Sequence, residues 1–265
     1  MKTKAVWFML ILIFPFFVPV SAQESFRREV REPSKEQIPG WFHPGTGGSC
    51  QFWDFSREAT LSSIQAQKNA RVEEASLTGR DKETRRHYFL SGDSLLCTGY
   101  ENDLTRVRFS QPQLMLRFPI DYGTSFVSDF QGRGQFDGKK EVTLSGNIMT
   151  SVDGWGQLIL PGGDTLQSVF RVHIFIRTLR LSAPLSREFN IDTPVDLKVD
   201  FSSREGSDIP GATWVLESIY RWYEPGAFDP VFETQETRIL SPDAPPLFQR
   251  SSFRYKAERN SLAKE

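Results

Sequence analysis

Between residues 86 and 240, run after run places apolar side chains at every second position. This alternation restricts the chain to extended strands with one face turned inward. Val142, Leu144, Gly146 and Ile148 alternate with Thr143, Ser145 and Asn147; Phe170, Val172, Ile174 and Ile176 alternate with Arg171, His173 and Phe175. Leu197, Val199 and Phe201 alternate with Lys198 and Asp200, while Trp214, Leu216, Tyr220 and Trp222 share one face of the next strand. Shorter runs at 87–90, 94–100, 105–109, 113–118 and 157–160 fit the same state, and 231–240, rich in Thr and Glu, reads as a strand with one exposed side.

Turn residues separate the runs. Ser91-Gly92-Asp93 suits a hairpin, and Pro161-Gly162-Gly163-Asp164 combines a fixed φ with two residues that tolerate positive φ. The 153–172 segment is therefore predicted to be a β-hairpin, with Phe170, Val172, Ile174 and Ile176 facing the core and Arg171 and His173 on the other side. Short strands about 8–12 residues apart indicate an all-β fold, an antiparallel β-sandwich or open barrel. The length leaves room for two β-rich lobes over 41–112 and 113–240. No internal repeat is evident, which disfavours propellers and solenoids. The one candidate helix covers 56–75, where Ala59, Leu61, Ile64, Ala70 and Val72 fit neither period well.

The first 22 residues have a different pattern. Lys2 and Lys4 precede an uncharged run from Ala5 to Val20, and Val20-Ser21-Ala22 supplies small residues for signal peptidase. A spanning helix needs about 20 apolar residues; this run is shorter and carries Pro15 and Pro19. Residues 1–22 are thus expected to be a cleaved signal peptide and the mature chain to begin at Gln23, with no later membrane span. Cleavage removes both lysines and takes the formal charge from −1 to −3, a balance that argues against a nucleic-acid partner. Residues 23–40, charged and poor in apolar side chains, read as a flexible leader, and 241–265 as a loosely held tail. The whole chain has 22 Phe and 13% aromatic residues, and most of the Phe lie between leader and tail, enough there to build a core.

The chain has two cysteines, Cys50 and Cys97. In an oxidising compartment they are expected to pair, closing a loop of roughly 50 residues and adding ~4 kcal/mol on the chain-entropy model. No Cys-x-x-Cys spacing suggests zinc, and His43, His87 and His173 are far apart in sequence, so neither a metal nor a cofactor is implied. Gly-x-Ser-x-Gly, Walker and Gly-x-Gly-x-x-Gly motifs are absent, and Gly132-Arg133-Gly134 reads as relief for a twisted strand.

Asp121, Asp129, Asp153, Asp164, Glu217 and Glu224 are candidate carboxylates, but a glycosidase needs two of them ~5–10 Å apart, which spacing cannot show. No catalytic residue is assigned. Trp53, Trp155, Trp214, Trp222 and Tyr223 are the candidate sugar-stacking aromatics. Trp214 and Trp222 share a face with Leu216 and are expected in the core, which leaves Trp155, with Asp153 beside it at a turn, as the candidate ligand-binding pair.

Two longer stretches carry a resemblance. Leu116-Arg117-Phe118-Pro119-Ile120-Asp121-Tyr122-Gly123 and Asp153-Gly154-Trp155-Gly156-Gln157-Leu158-Ile159-Leu160-Pro161, continued by Val169 and Arg171-Val172, resemble a group of exported β-rich proteins of Bacteroidota. In that group an FP-x-x-YG segment precedes a DG-x-G-x-LILP hairpin. Arg221-Trp222-Tyr223-Glu224-Pro225-Gly226 extends the likeness, which covers 88–233. The resemblance implies export in a Gram-negative setting and brings no site residues. The chain stops soon after its last strand, which favours the periplasm over the cell surface. The reading is an exported, non-enzymatic β domain of the cell envelope, periplasmic or extracellular. A glycan-binding module is the alternative and a glycan-active hydrolase or lyase a third option; the partner is a glycan or another envelope protein.

Overall fold

The computed structural model describes residues 27–30, 36–38, 41–57, 84–197, 199, 212–239 and 248–253. Among these residues there is no helix, and the helix expected over 56–75 lies outside them beyond Arg57. The strands are β1 (Arg27–Val30), β2 (Glu36–Ile38), β3 (Gly48–Asp54), β4 (Arg85–Ser91), β5 (Ser94–Glu101), β6 (Thr105–Arg117), β7 (Ser125–Phe136), β8 (Lys140–Ile159), β9 (Thr165–Pro184), β10 (Ala212–Tyr223), β11 (Phe232–Ile239) and β12 (Phe248–Phe253).

All twelve belong to one sheet, ordered β1-β4-β5-β6-β7-β8-β9-β10-β11-β12-β2, with β3 added alongside β8. The sheet is antiparallel except at β3 and curls into a half-barrel, as the all-β expectation of an open barrel requires. The division considered at 112–113 falls inside β6, and the sheet runs unbroken across it.

The two segments expected to lie in a free leader form edges instead. β1 pairs with β4 and β2 with β12, so both ends of the sheet are covered by a short strand. Only five residues separate β1 from β2, which limits the gap between the sheet's edges to about 20 Å. Likewise Phe248–Phe253, placed by sequence in a loose tail, pairs with β11.

The 153–172 hairpin forms as predicted. Leu158 lies opposite Leu166 and Ile159 opposite Thr165, and the turn closes through Leu160 N–H donating to the Asp164 carbonyl at 2.8 Å. Val172, Ile174 and Ile176 are buried on the inner face together with Val142, Leu144 and Ile148 from β8. That inner cluster reaches from Tyr88 on β4 to Tyr223 on β10, which is how the curl brings strands far apart in the sheet into one core. Gly146 sits in the same row because a Cβ there would come 2.3 Å from the Phe130 ring, itself 1% exposed.

Three expectations change. Arg171 does lie opposite the core side, but it is buried there (2% exposed), because a second aromatic cluster covers the outer face at that end of the sheet. β11 was expected to expose one side; instead Thr234 and Gln235 are each 1% exposed, with loop 41–47 on its outer side and the Arg221–Glu233 pair on its inner side. Leu197 is not in a strand, and its carbonyl instead accepts hydrogen bonds from Gln131 Nε2 (2.9 Å) and Ser145 Oγ (3.2 Å).

Candidate functional site: a groove on the outer face

The outer face of β9, β10 and β11 carries polar and aromatic side chains in cross-strand rows. His173, Tyr220 and Thr234 form one row, and Phe175, Ser218 and Glu236 the next. Side chains two residues apart on a strand share a face, so the alternation that sends Ile174 and Ile219 inward sends His173, Ser218 and Tyr220 outward.

Loop 41–47 covers one end of this surface and is fixed by three devices. Phe42 is buried against Phe55 and Phe232, with ring centroids 5.5 and 5.7 Å away. Its backbone N–H donates to Ser251 Oγ (3.0 Å), and its carbonyl accepts from Thr234 Oγ1 (2.8 Å). Arg171 then ties the loop to the sheet: Nη1 donates to the carbonyls of Pro44 (2.8 Å) and Gly45 (3.0 Å), while Nε and Nη2 hold the two oxygens of Asp153 at 2.8 and 2.9 Å. The guanidinium lies 5.7 Å from the Trp53 ring centre and 5.1 Å from that of Tyr220, placing a desolvated cation against two π faces.

Between this loop and β11 lies a groove of about 230 Å³. Trp41, His43 and Pro44 form one wall, Ser218, Tyr220 and Thr234 the floor, and Glu236 and Arg238 the far side. Trp41 and His43 meet edge to face at 5.6 Å. His43 Nδ1 accepts the Gly45 N–H at 3.1 Å, which leaves the ring proton on Nε2. Beside the floor, on β9, His173 stacks flat on Tyr220 at 4.2 Å, and its Nε2 is 2.9 Å from Ser218 Oγ. Burial lowers the His173 pKa, Asp153 opposes that shift and Arg171 adds to it, so the imidazole is neutral near pH 7. Arg238 Nε bonds Glu236 Oε1 at 2.5 Å, and Gln249 Nε2 bonds Glu236 Oε2 at 2.6 Å, so the far side presents an ordered charge pair.

The residues singled out in the sequence are distributed differently. Asp153 is engaged on both oxygens by Arg171 and acts in holding the loop. Trp155 is 38% exposed and lies opposite Phe170 in register, an accessible indole away from the groove lining. Trp53, Trp214, Trp222 and Tyr223 are all buried, so the stacking face considered from sequence is not assembled from them. Asp121 and Asp129 are exposed, whereas Glu217 is buried on the inner side. His87 faces Glu101 at 3.6 Å on the other half of the sheet.

The expected disulfide is not formed: Cys97 is buried in the inner core with its Sγ 3.4 Å from the Gly99 carbonyl, while Cys50 is exposed on β3, beside the far end of β8. Trp41, Ser218, Glu236 and Arg238 were not singled out by sequence reasoning. Trp41 lies in the loop, and Ser218 shares the parity of Trp214, Leu216 and Trp222, which the sequence places toward the core; the structure turns that face of β10 outward, so only the exposed side expected of 231–240 pointed toward Glu236 and Arg238.

A second cavity lies on the inner face, lined among others by Arg86, Gln113, Thr178, Arg180 and Glu217. At about 30 Å³ it has room for about two water molecules and none for a sugar ring. Gln113 Oε1, buried there with no hydrogen-bond partner among the described residues, is suited to such a water. The neighbouring Arg221 is buried; burial opposes its charge, but Glu233 at 2.7 Å outweighs that and holds it protonated, with Arg250 3.6 Å from the other Glu233 oxygen. Among the described residues no three His, Cys, Asp or Glu side chains are placed to hold a metal ion, and no helix is long and apolar enough to cross a membrane. Comparison with protein-family models, curated proteins and solved structures gave no match to this chain.

Proposed function

We propose that this chain is an exported domain of a Gram-negative cell envelope that binds a saccharide in the outer-face groove without transforming it. The observation that carries the reading is the groove itself. Trp41 supplies a rigid apolar plane, while the Ser218 hydroxyl, the Glu236 carboxylate and the Arg238 guanidinium surround it. A sugar ring presents an apolar C–H face and a rim of hydroxyls that both donate and accept, which matches a mostly preformed site of one aromatic and several convergent polar groups. The volume of about 230 Å³ accommodates one ring, unlike the inner cavity.

Export rests on the charged start, apolar run and Val20-Ser21-Ala22 site, and on the likeness to exported Bacteroidota proteins. N-terminal sequencing of the protein recovered from the periplasm or medium is expected to begin at Gln23, and a retained Met1 would refute it. For the groove, calorimetric titration against a saccharide panel tests the reading. Trp41→Ala is expected to weaken binding about tenfold, since loss of one stacked aromatic costs roughly 1 kcal/mol or more. Trp155→Ala is expected to leave binding unchanged. If Trp155→Ala alone removes binding, the site is at the β8–β9 end and not in the groove.

A further inference from the structure

The floor of the groove does not end at Ser218. In cross-strand register, Ser218 lies opposite Phe175, Phe175 opposite Met149, and Met149 opposite Val127. Side chains in such a row project from the same face of the sheet. Val127 is 62% exposed and Met149 48% exposed, while Phe175 is half-buried between them and the groove. Single exposed apolar side chains need no explanation. Three in consecutive register, leading into a polar groove, form a directed apolar track. With neighbouring strands about 4.8 Å apart, the track from Ser218 to Val127 is about 14 Å long.

Polar side chains border it on both sides. Asp129, Asn147 and Arg177 form the row on one side, and Ser125, Ser151 and His173 the row on the other. Rows on one face are two residues apart, about 7 Å along the strands. That is too narrow for a helix about 10–12 Å across. Three side chains also offer far less than the roughly 800 Å² per partner of a stable protein interface. The width suits a single hydrocarbon chain.

Resting on the saccharide reading of the groove, we infer that the ligand is an amphiphile: a sugar head held by Trp41, Ser218 and Glu236, carrying one alkyl or acyl chain that lies along Phe175, Met149 and Val127. The chain leaves the groove at Ser218, where the polar floor gives way to the apolar row. Its binding removes apolar surface of both partners from water, the term that drives association of such groups.

The test compares methyl and octyl glycosides of glucose, galactose, mannose and N-acetylglucosamine. Each is titrated below its micelle concentration into the mature wild-type chain and into the double variant Val127→Ser/Met149→Ser. Both sites are exposed, so the double variant is expected to keep its thermal midpoint. The expected result is that the octyl form binds at least tenfold tighter than the methyl form to wild type. In the double variant that advantage falls below threefold with methyl-glycoside affinity unchanged. Equal affinity of methyl and octyl forms for wild type overturns the amphiphile while leaving the saccharide groove standing, as does an octyl advantage that survives in the double variant. Failure of both forms to bind overturns the groove reading and the amphiphile with it.

Discussion

Arg171 is the residue through which the groove depends on the fold, and removing its counter-ion tests that dependence. Asp153→Ala leaves a guanidinium whose side chain is 3% exposed without the carboxylate that holds Nε and Nη2. Breaking a buried pair from one side costs about 3–5 kcal/mol, because the remaining charge stays desolvated. The Asp153 side chain is 27% exposed, so water replaces part of the lost interaction and the lower end, about 3 kcal/mol, applies. With a urea slope of about 3 kcal/mol per molar for a domain of this size, the unfolding midpoint of the mature chain falls by about 1 M. Asp153→Asn, which keeps the volume and one acceptor, is expected to lose about half as much.

A second readout separates this ion pair from a generic surface contact. The same guanidinium bonds the Pro44 and Gly45 carbonyls, so Asp153→Ala also loosens the wall that carries Trp41, and saccharide affinity falls together with stability. The double variant Asp153→Ala/Arg171→Met removes the orphaned charge and is expected to recover much of the lost stability without recovering binding. A midpoint for Asp153→Ala within about 0.2 M of wild type would refute the assigned role of the pair.

The thiols and the half-buried His173 give two further checks. A thiol reagent applied to the native chain without reductant is expected to label Cys50 and spare Cys97 until the domain is unfolded; absence of labelling at Cys50 under those conditions would instead support a disulfide. Burial depresses the His173 pKa in the folded state, so the histidine's contribution to stability is complete above the unfolded value of about 6.5 and is lost as pH falls through the lower folded value. Between pH 7.5 and 5.5 the wild-type thermal midpoint is therefore expected to drop further than that of His173→Gln, and parallel profiles for the two would refute it.

The strand alternation was legible because it is a local property. Val142 to Ile148 and Phe170 to Ile176 face inward as their parity requires, and the Pro161-Gly162-Gly163-Asp164 turn sits where its φ preferences place it. What failed were inferences from polarity alone. Residues 27–30 and 36–38 look like solvated leader, yet backbone pairing at a sheet edge asks little of the side chains. β11 looks half exposed because it is Thr- and Glu-rich. Glu233 is buried all the same, because Arg221 and Arg250 supply its counter-charge from strands on either side. The Gly132-Arg133-Gly134 reading came closer: a Cβ on Gly134 would approach the Arg106 carbonyl at 2.4 Å, so the glycines allow β7 to press against β6.

The groove was illegible for a different reason. Its walls come from residues near 41, 218 and 236, and only the pairing of β10 with β11, with the loop folded back over them, makes them neighbours. Sequence parity placed His173 opposite the core but Tyr220 on the core side with Trp214 and Trp222; the structure puts both on the outer face, because parity cannot say which face of a strand is inner, which strands are adjacent or in what register. Once Ser218 lies opposite Phe175 and Tyr220 opposite His173, the His173–Ser218 hydrogen bond follows from geometry, because diagonal neighbours on adjacent strands are within reach of long side chains. Likewise, Asp153 attracted notice as a turn residue beside an exposed Trp. Its partner Arg171 lies across the hairpin on β9, and the carbonyls of Pro44 and Gly45 that complete the cluster lie more than 100 residues earlier in the chain. The residue that appeared to be a ligand contact thus positions the wall of a site formed elsewhere.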